Sequence, residues 1–463
     1  MMISSLSIKG LRGFATRETL ALAQPQANRP GSGLTVLVGP NNGGKSTVVE
    51  AFRAITAGGT PSFTEGKRNL AAGDRVELRV ELVDHSHHSL VTTSAGGSET
   101  KREPVPGVTP SILVLPSRRY FNVYFGKGSF SRDRFSHLDL PAIRSQPLNE
   151  FGYRLFETVG DDEKLRQFNE VLGRVVGPCP DWTIDQQDSG QYYLKVKSGN
   201  AFHNSDGMGE GIVSLFFIIN ALYDSKPDDV IVIDEPELSL HPIYQRRLAR
   251  LLADYAKDRQ IVYATHSPYF LPLGQVDSGM AISRVYKDAD NQCRVAAVSD
   301  ETKQALARLT KDANNPHVLG LDAREVFFLE DDVLLVEGQE DVVCYRRIAD
   351  QLGVELPCEF FGWGVGGAEK METIARLLHE LGYQKVAGIL DGDKPEVARR
   401  LSDAYPNYSF TCIPMDDVRT KPDRPARPGK QGLLDEKLTL RDDMREQVTK
   451  IFDDVRTYMK PDQ

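Results

Sequence analysis

The stretch that decides the fold is GPNNGGKST at residues 39–47. It follows the apolar run LTVLV at residues 34–38 and leads into VVEAF at residues 48–52. This order predicts a buried strand, a glycine-rich loop and a helix. Gly39 and Gly44 enclose four residues ahead of a Lys-Ser pair, which is the spacing of loops that bind nucleotide phosphates.

A phosphate-binding loop needs each of these residue types. Glycines let backbone N–H groups surround phosphate oxygens, while Lys45 reaches the β and γ phosphates and the Ser46 hydroxyl holds Mg²⁺. The alternative is a plain glycine turn, which the flanking strand and helix disfavour. The sequence therefore predicts an ATP site whose loop contacts are Gly39, Asn41, Asn42, Gly43, Gly44, Lys45, Ser46 and Thr47.

Length and composition describe an ordinary globular protein. The 463 residues suggest two or three domains with ample core. No apolar run is long enough to cross a bilayer, and the N-terminus lacks the pattern of a signal peptide, so we expect no membrane contact. The five scattered cysteines form no CxxC pair, which argues against a zinc or disulfide framework and fits a reducing cytoplasm.

The net charge of −9 bears on the class of partner. It argues against a protein coated in positive charge for nucleic acid. It still permits a local basic groove, and an acidic metal site would itself lower the isoelectric point.

The segments around the phosphate loop predict a layered domain. Residues 3–8 and 75–83 alternate polar and apolar residues, which predicts strands. Residues 1–33 fit an N-terminal β-layer as well as an ordinary edge hairpin. Residues 130–180 predict a helical insertion. A strand at residues 112–115 precedes two adjacent arginines, at 118–119, that fit contacts to phosphate or DNA as well as ion pairs with nearby acids.

A second anion-binding segment is predicted at HNSDGMGEG, residues 203–211, ahead of an apolar helix at residues 212–222. Ser205 and Gly207 would offer a hydroxyl and backbone N–H groups at the helix start, where a second γ-phosphate contact could form. Serine and glycine also cap helices for purely structural reasons, so the segment is a weak signal alone.

Two further strands end in polar residues suited to phosphate chemistry. VIVIDEP at residues 230–236 predicts a buried parallel strand that ends in two carboxylates. Asp234 would orient Mg²⁺ and its water, and Glu235 would accept a proton from the water that attacks the γ-phosphate. The strand at residues 259–266 ends in His266, which its place after that strand favours as a contact to the γ-phosphate or the attacking water.

Together these motifs resemble the ABC-type ATPase heads of SMC-like and OLD-family (overcoming lysogenization defect) proteins. DEPELSLHP at residues 234–242 is most similar to the OLD branch. The resemblance covers residues 1–285 and implies that two heads sandwich two ATP molecules, so that the chain forms at least a dimer. The Ser-Asp-Gly segment at residues 205–207 departs from the usual LSGGQ form, and the chain has no room for a long coiled coil.

The last third of the chain predicts a second α/β domain. The apolar strand at residues 333–336 is followed by Glu337, and the strand at residues 386–390 is followed by Asp391 and Asp393. Strand–helix alternation implies a parallel sheet, whose carboxyl edge would bring these acids together. Their hard oxygen ligands suit Mg²⁺ or Mn²⁺ that would activate water and stabilise a leaving phosphodiester oxygen. Acidic turns after strands are the alternative.

These residues resemble the Toprim domain, in which a strand ending in Glu-Gly precedes a strand ending in Asp-x-Asp. The OLD family joins an ABC head to a C-terminal Toprim nuclease in this order. The resemblance implies that Asp341 also binds metal and that a basic residue supports cleavage, for which Lys430 is our candidate. The Pro/Arg/Lys-rich segment at residues 419–427 fits contact with the DNA backbone as well as a solvated loop.

The sequence therefore predicts an α/β protein with an ABC-type P-loop ATPase domain at residues 1–285, a linker at 286–325 and a Toprim-like (Rossmannoid) domain at 326–463. The predicted function is an ATP-regulated, metal-dependent DNA endonuclease that by resemblance would serve antiviral defence. Two alternatives stay open. The protein could be an ATP-driven sensor or scaffold that controls a partner effector subunit, or a nuclease that cuts RNA such as tRNA.

Overall fold

The chain forms two compact units, Met1–Ala297 and Val298–Gln463. The structure is a computed structural model, and it describes residues 2–57, 59–103, 111–132, 148, 150–311, 320–329, 331–356, 358–423 and 428–459. The predicted boundary at residue 285 falls inside a strand of the first unit's sheet. Residues 293–297 complete that sheet and residues 300–311 belong to the second unit, which differs from the predicted linker.

The first unit alternates strands and helices, as its sequence patterns indicate. Its strands are β1 Ile3–Lys9, β2 Glu18–Ala21, β3 Leu34–Val38, β4 Glu77–Leu82, β5 His87–Thr92, β6 Thr100–Glu103, β7 Ile112–Leu115, β8 Asp181–Gln186, β9 Tyr192–Ser198, β10 Ala201–His203, β11 Val230–Asp234, β12 Gln260–Ala264, β13 Ala281–Lys287 and β14 Cys293–Ala297. Its helices are α1 Lys45–Thr56, α2 Glu150–Val159, α3 Asp162–Val176, α4 Glu210–Asp224 and α5 Pro242–Tyr255.

Two sheets build the body of this unit. The main sheet has the order β14-β13-β3-β12-β11-β7 and is parallel except for the β13–β14 pair. An antiparallel layer, β2-β1-β4-β5-β6, forms the second sheet, as the N-terminal alternation predicts. Helix α1 packs against strands of both, so Val48 and Phe52 are fully buried in the core between them. A third sheet, β10-β9-β8, follows the insertion.

The insertion is helical over α2 and α3, while its predicted part at residues 133–147 lies outside the described residues. Arg154 on α2 holds the insertion to α4, because its Nε donates to Asp224 Oδ2 at 2.8 Å. Both side chains are buried, and Asn220 donates to the same carboxylate oxygen at 3.0 Å. Burial works to lower the pKa of Arg154, but the Asp224 carboxylate outweighs it and leaves that pKa raised. The pair thus fixes α2 to the helix that follows the Ser205–Gly207 segment.

Replacing Arg154 with methionine is expected to lower the free energy of unfolding by about 3–5 kcal/mol, because it leaves Asp224 as a buried unpaired charge. Chemical denaturation followed by circular dichroism measures this. Arg166→Met on α3 is the control, since its ion pairs with Glu163 and Glu170 are exposed and contribute at most about 1 kcal/mol. Replacing Asp224 with leucine as well should recover most of the loss. An Arg154→Met protein as stable as the control would contradict this role.

The second unit is built on a four-stranded parallel sheet of order β16-β15-β17-β18. Its strands are β15 Val333–Val336, β16 Glu359–Phe360, β17 Val386–Leu390 and β18 Ser409–Cys412, with a separate parallel pair β19 Asp417–Arg419 and β20 Gly432–Leu434. Its helices are α6 Asp300–Lys311, α7 Leu321–Glu325, α8 Gln339–Leu352, α9 Ala368–Glu380, α10 Pro395–Ala404 and α11 Arg445–Met459.

The central strands β15 and β17 are apolar and fully buried, as parallel strands covered on both faces must be. They are neighbours, so the residues after Val336 and Leu390 lie side by side at the carboxyl edge of the sheet. The α/β class predicted for both parts of the chain is confirmed. Among the described residues, no helix is both long and apolar enough to cross a bilayer.

Candidate functional site

The phosphate loop occupies the carboxyl end of β3, at the centre of the main sheet. It begins at Gly39, whose φ of 126° lies in the region that side chains disfavour. A Cβ at Gly39 would lie 2.3 Å from the carbonyl oxygen of Val285 on the neighbouring strand β13. Gly44 has a φ of 113° and directly precedes Lys45, the first residue of α1. Glycine is therefore required for the close approach of loop and sheet.

The loop borders a cavity of about 740 Å³, which is within the size range of small-ligand sites. Most of the predicted contacts line it, namely Asn41, Asn42, Gly43, Gly44, Lys45, Ser46, Thr47, Asp234, Glu235 and His266. Arg12, Arg53 and Lys287 also line the cavity, although no sequence motif marks them.

Lys45 is buried within the loop. Its Nζ donates to the carbonyl oxygens of Gly39 at 2.7 Å and Pro40 at 2.8 Å. Burial lowers the pKa of Lys45 to about 8, against the raising effect of Glu237 and other acids beside it. The ammonium group thus stays mostly protonated at neutral pH and sits at the place where an anion would be bound.

Ser46 and Asp234, the predicted Mg²⁺ ligands of this cavity, contact each other. The Ser46 hydroxyl lies 3.2 Å from Asp234 Oδ1, and Asp234 is almost fully buried at the end of β11. A hydroxyl beside a buried carboxylate is the oxygen pair that Mg²⁺ uses together with phosphate oxygens and water. The pair therefore fits the ion.

Arg119, one of the two adjacent arginines after β7, has a structural task. It is buried and donates to Ser214 Oγ at 2.8 Å and to the carbonyl oxygens of Asp234 at 2.8 Å and Glu235 at 2.9 Å. Glu235 has a φ of 49°, which is unusual for a side chain of this size. Arg119 therefore holds the strained turn that carries both carboxylates, and these hydrogen bonds engage its guanidinium group within the protein.

His266 is held by Glu237, a residue that the sequence reasoning missed. The backbone N–H of His266 donates to Glu237 Oε1 at 2.6 Å, and the Thr265 hydroxyl donates to Oε2 at 2.9 Å. Burial, and then the charge of Lys45, lower the pKa of His266 to about 4, so its imidazole is neutral at pH 7. Glu237 thus links the end of β12 to the turn after β11. The second glutamate of Asp-Glu-Pro-Glu, at residues 234–237, was the available signal.

The sequence predicts Ser205 and Gly207 at the start of a helix, but in the structure they lie ahead of it. They form a single 3-10 turn, and α4 begins only at Glu210, because Gly209 is extended and acts as the N-cap. The Ser205 hydroxyl is buried without a hydrogen-bond partner among the described residues. Neither Ser205 nor Gly207 is among the described residues that line the cavity of the same chain.

In the second unit, Glu337 and Asp391 meet at the carboxyl edge of the sheet. The backbone N–H of Asp391 donates to Glu337 Oε1 at 3.0 Å. Burial raises the pKa of Asp391 to about 8, and repulsion from Glu337 and Asp341 adds to this. Burial likewise raises the pKa of Asp341 to about 6, although its Oδ2 accepts a hydrogen bond from Gly338 at 2.7 Å. The acids at this edge therefore oppose one another's ionisation, and Asp391 stays mostly protonated below about pH 8.

Asp393, the last of the four predicted acids, forms ion pairs with two lysines. Lys430 Nζ lies 3.0 Å from Asp393 Oδ2, and Lys394 Nζ lies 3.2 Å from Oδ1. Burial works to raise the pKa of Asp393, but these two partners outweigh it and leave that pKa lowered. The sequence reasoning missed Asp417 in β19, a buried carboxylate whose charge also raises the pKa of Asp391.

The predicted four-acid metal centre is therefore only partly assembled. Within the part of the chain that the structure describes, no three His, Cys, Asp or Glu side chains form a group able to hold an ion. The physical reason is that the acids repel one another and that Asp393 is paired with lysines. The donor set, all carboxylate oxygens, still fits Mg²⁺ or Mn²⁺, since a divalent cation would balance the charge at this edge.

The Pro/Arg/Lys-rich segment at residues 419–427 is described only in part, because residues 424–427 lie outside the described residues. Arg419 and Lys421 both pair with Glu340, the lysine at 2.9 Å, and Lys421 also pairs with Asp417 at 2.6 Å. Their charges are therefore engaged by acids of the same unit.

Two sequence families match the first unit. Residues 5–103 match the family described as "AAA domain", and residues 111–271 match the family described as "AAA domain, putative AbiEii toxin, Type IV TA system". Among solved structures, the SMC head bound to the C-winged helix domain of ScpA aligns with a TM-score of 0.43 and 16% identity, over 66% of this chain and 99% of that one.

Several curated proteins are similar to this chain. The OLD nuclease of Thermus scotoductus is 25% identical over 394 residues, which cover 70% of this chain and 71% of that protein. Septu protein PtuA of Bacillus thuringiensis is 19% identical, over 56% of this chain and 72% of its own length. Endonuclease GajA of Bacillus cereus is 26% identical over 166 residues, and the chain spans 27% of it. These similarities agree with the resemblance of the sequence motifs to the OLD (overcoming lysogenization defect) family.

Proposed function

We propose that the protein binds and hydrolyses ATP and is a divalent-metal-dependent DNA endonuclease. The observation that carries the proposal is that one chain contains two sites, one suited to a nucleotide and one suited to a divalent cation. A phosphate-loop cavity contains Lys45, Ser46 and Asp234, and the carboxyl edge of a second parallel sheet carries Glu337 and Asp391. The names of the relatives, OLD nuclease and Endonuclease GajA, support nucleic-acid cleavage.

In the ATP half, loop N–H groups and the ammonium group of Lys45 bind the β and γ phosphates. Ser46 and Asp234 hold Mg²⁺, which neutralises phosphate charge. Glu235 accepts the proton of the attacking water, while Arg119 keeps its backbone in place. His266 has a neutral imidazole, so one ring nitrogen donates a hydrogen bond to the γ-phosphate or the water without adding charge.

In the nuclease half, Glu337, Asp341, Asp391 and Asp393 are the residues that would hold Mg²⁺ or Mn²⁺. Such an ion supplies Lewis acidity that activates water and stabilises the leaving oxygen of the phosphodiester. Asp391 binds as a carboxylate, since the ion's charge reverses the effect that raises its pKa. Lys430 keeps Asp393 charged and lies close enough to the acids to donate to a phosphodiester oxygen.

The remaining parts of the proposal rest on resemblance. The second unit is a Toprim domain, supported by its parallel sheet and by the acids at the ends of β15 and β17. The ATPase units associate, at least as a dimer, so that Ser205 and Gly207 of one contact the nucleotide of the other. All five cysteines are free thiols, which suits the cytoplasm. A role in antiviral defence is supported by the similarity to Septu protein PtuA.

One observation favours a second candidate, an ATP-driven scaffold that controls a partner effector through a non-cleaving domain. Asp393 is paired with Lys430 and Lys394, and the described acids form no group of three. If this pairing persists when metal is present, the second unit cannot cut.

The two candidates are separated by incubating the full chain with supercoiled plasmid or with tRNA, in Mg²⁺ or Mn²⁺, with and without ATP. The nuclease proposal expects nicked or linear plasmid in at least one metal. Cleavage of tRNA alone would replace DNA with RNA as the substrate. Intact nucleic acid under every condition, with ATP hydrolysis present, would overturn the nuclease proposal in favour of the scaffold.

Glu237→Ala is expected to lower kcat for ATP hydrolysis by about tenfold or more and to leave KM for ATP nearly unchanged. A lost hydrogen bond to a charged group costs roughly 1.5–3 kcal/mol, and Glu237 acts by positioning His266 and not by binding nucleotide. Steady-state kinetics measures both constants. Glu436→Ala, at an exposed site in the second unit, is the control. A raised KM with unchanged kcat would mean that Glu237 serves binding.

A further inference from the structure

A second cavity lies in the nuclease unit, and the proposed chemistry does not use it. It has a volume of about 390 Å³ and lies between helix α8 and the edge strand β16. Its walls include the aromatic side chains of Phe360 and Trp363, and Trp363 is 41% exposed. A large exposed indole next to a cavity is unusual in a chain whose other tryptophan, Trp182, is 4% exposed.

The cavity is fixed to the acidic edge of the sheet. Trp363 belongs to the glycine-rich turn at residues 362–367, and the N–H groups of Gly366 and Gly367 donate to the carbonyl oxygen of Glu337 at 2.9 and 2.7 Å. Gly364 packs so closely on this segment that a Cβ there would lie 2.6 Å from the Cα of Gly338. The turn that carries the indole thus contacts the backbone of Glu337, one of the acids proposed to bind metal.

The charges around the cavity select the kind of group that can enter. Exposed carboxylates of Asp322, Glu325 and Glu359 stand at its rim, together with the guanidinium group of Arg346, which lies 5.4 Å from the centre of the Phe360 ring. Three acids and one base repel a phosphate. They accept hydrogen bonds from N–H groups, while Arg346 donates to carbonyl or ring-nitrogen acceptors.

We propose that this cavity receives one unpaired nucleobase of the strand to be cut, stacked on Trp363, and that it prefers guanine. Stacking on an aromatic side chain accepts any base. Guanine adds adjacent N1–H and N2–H donors that match a carboxylate, and O6 and N7 acceptors that match an arginine. Thymine presents one N–H donor, at N3, between two carbonyl oxygens that the acids repel, so it offers a carboxylate one hydrogen bond where guanine offers two. The identification of the ligand as nucleic acid rests on the proposed nuclease function.

The indole itself reports the binding. In Trp182→Phe protein the remaining tryptophan fluorescence comes from Trp363, and a base stacked on it quenches that emission. The trinucleotides d(TGT) and d(TTT) are titrated in EDTA, so that no cleavage is possible. We expect d(TGT) to quench the emission with a Kd about tenfold or more below that of d(TTT). Absence of quenching by either, or equal affinity for both, would overturn the inference.

A second measurement guards against quenching from another site. Anisotropy of labelled d(TGT) is followed with Trp363→Leu, which should weaken binding by about tenfold, and with Phe202→Leu, an exposed aromatic of the first unit that should change nothing. Unchanged binding by Trp363→Leu would contradict the assignment. Because both assays exclude metal, they test the cavity separately from cleavage. A protein that binds d(TGT) but never cuts plasmid would contradict only the nuclease proposal. A protein that cuts plasmid but does not bind d(TGT) would contradict only the assignment of the cavity.

Discussion

Alanine at position 45 is expected to remove nucleotide binding from the first unit and ATP hydrolysis with it. In the structure the ammonium group of Lys45 lies inside the phosphate loop, hydrogen-bonded to two carbonyl oxygens that it can exchange for phosphate oxygens. Losing hydrogen bonds between charged groups costs about 3 kcal/mol, which is roughly a hundredfold in Kd. Isothermal titration calorimetry with ATP measures the affinity, and phosphate release measures the rate.

Lys257→Ala provides a matched control, because Lys257 is an exposed lysine of the same unit. It should bind and hydrolyse ATP as the wild type does. A Lys45→Ala protein that is folded and still hydrolyses ATP at the normal rate would refute the assignment of the phosphate loop.

Replacing Asp391 with asparagine is the other change with a large expected effect. Asp391 lies beside Glu337 at the carboxyl edge of the second sheet, and an amide in its place is a much weaker ligand for Mg²⁺ or Mn²⁺. We expect plasmid cleavage to fall by at least roughly a hundredfold while ATP hydrolysis in the first unit is retained. Asp403→Asn, at an exposed site on α10, should keep both activities.

The same substitution is expected to stabilise the protein in EDTA. Burial raises the pKa of Asp391 to about 8, whereas an unfolded aspartate titrates near about 3.9. The folded state therefore holds its proton more tightly, and its stability falls as the pH rises from about 4 to about 8. Asp391→Asn should remove this loss, so its gain in melting temperature grows over that window and shrinks toward pH 4.

Added metal should make the wild type more stable than Asp391→Asn. A divalent ion that binds the folded state raises the melting temperature of the wild type by mass action, and it should raise that of Asp391→Asn much less. Scanning calorimetry with and without Mn²⁺ measures both effects. A wild type and variant that respond equally to Mn²⁺ would mean that Asp391 is not a ligand.

Short-range sequence patterns predicted much of the secondary structure of the first unit. The strand, loop and helix around Lys45, the buried strand before Asp234 and the strand before His266 all appear where the sequence places them. Each depends on short-range patterns, namely glycine spacing and continuous apolar runs. Because parallel strands share a carboxyl edge, these patterns also placed the phosphate loop, the acids and the histidine around one cavity.

Contacts between distant residues could not be predicted in the same way. Arg119 reaches the backbone of Asp234 and Glu235 across more than a hundred residues, and no local pattern marks it as the buried one of two arginines. The pairing of Lys430 with Asp393 likewise depends on how β20 folds back toward β17. The sequence made Lys430 the candidate basic residue that supports cleavage, but it could not show that this lysine pairs with Asp393.

The proposed protein joins a metal-dependent nuclease in its second unit to an ATPase in its first. The decisive measurement is the initial rate of plasmid cleavage in Mn²⁺, with and without ATP, for wild type, Lys45→Ala and Asp391→Asn. We expect that the wild type cuts, that Asp391→Asn does not cut in either condition, and that ATP changes the rate of the wild type but not of Lys45→Ala. Cleavage by Asp391→Asn at the wild-type rate, or intact plasmid with wild type in both conditions, would contradict the proposal.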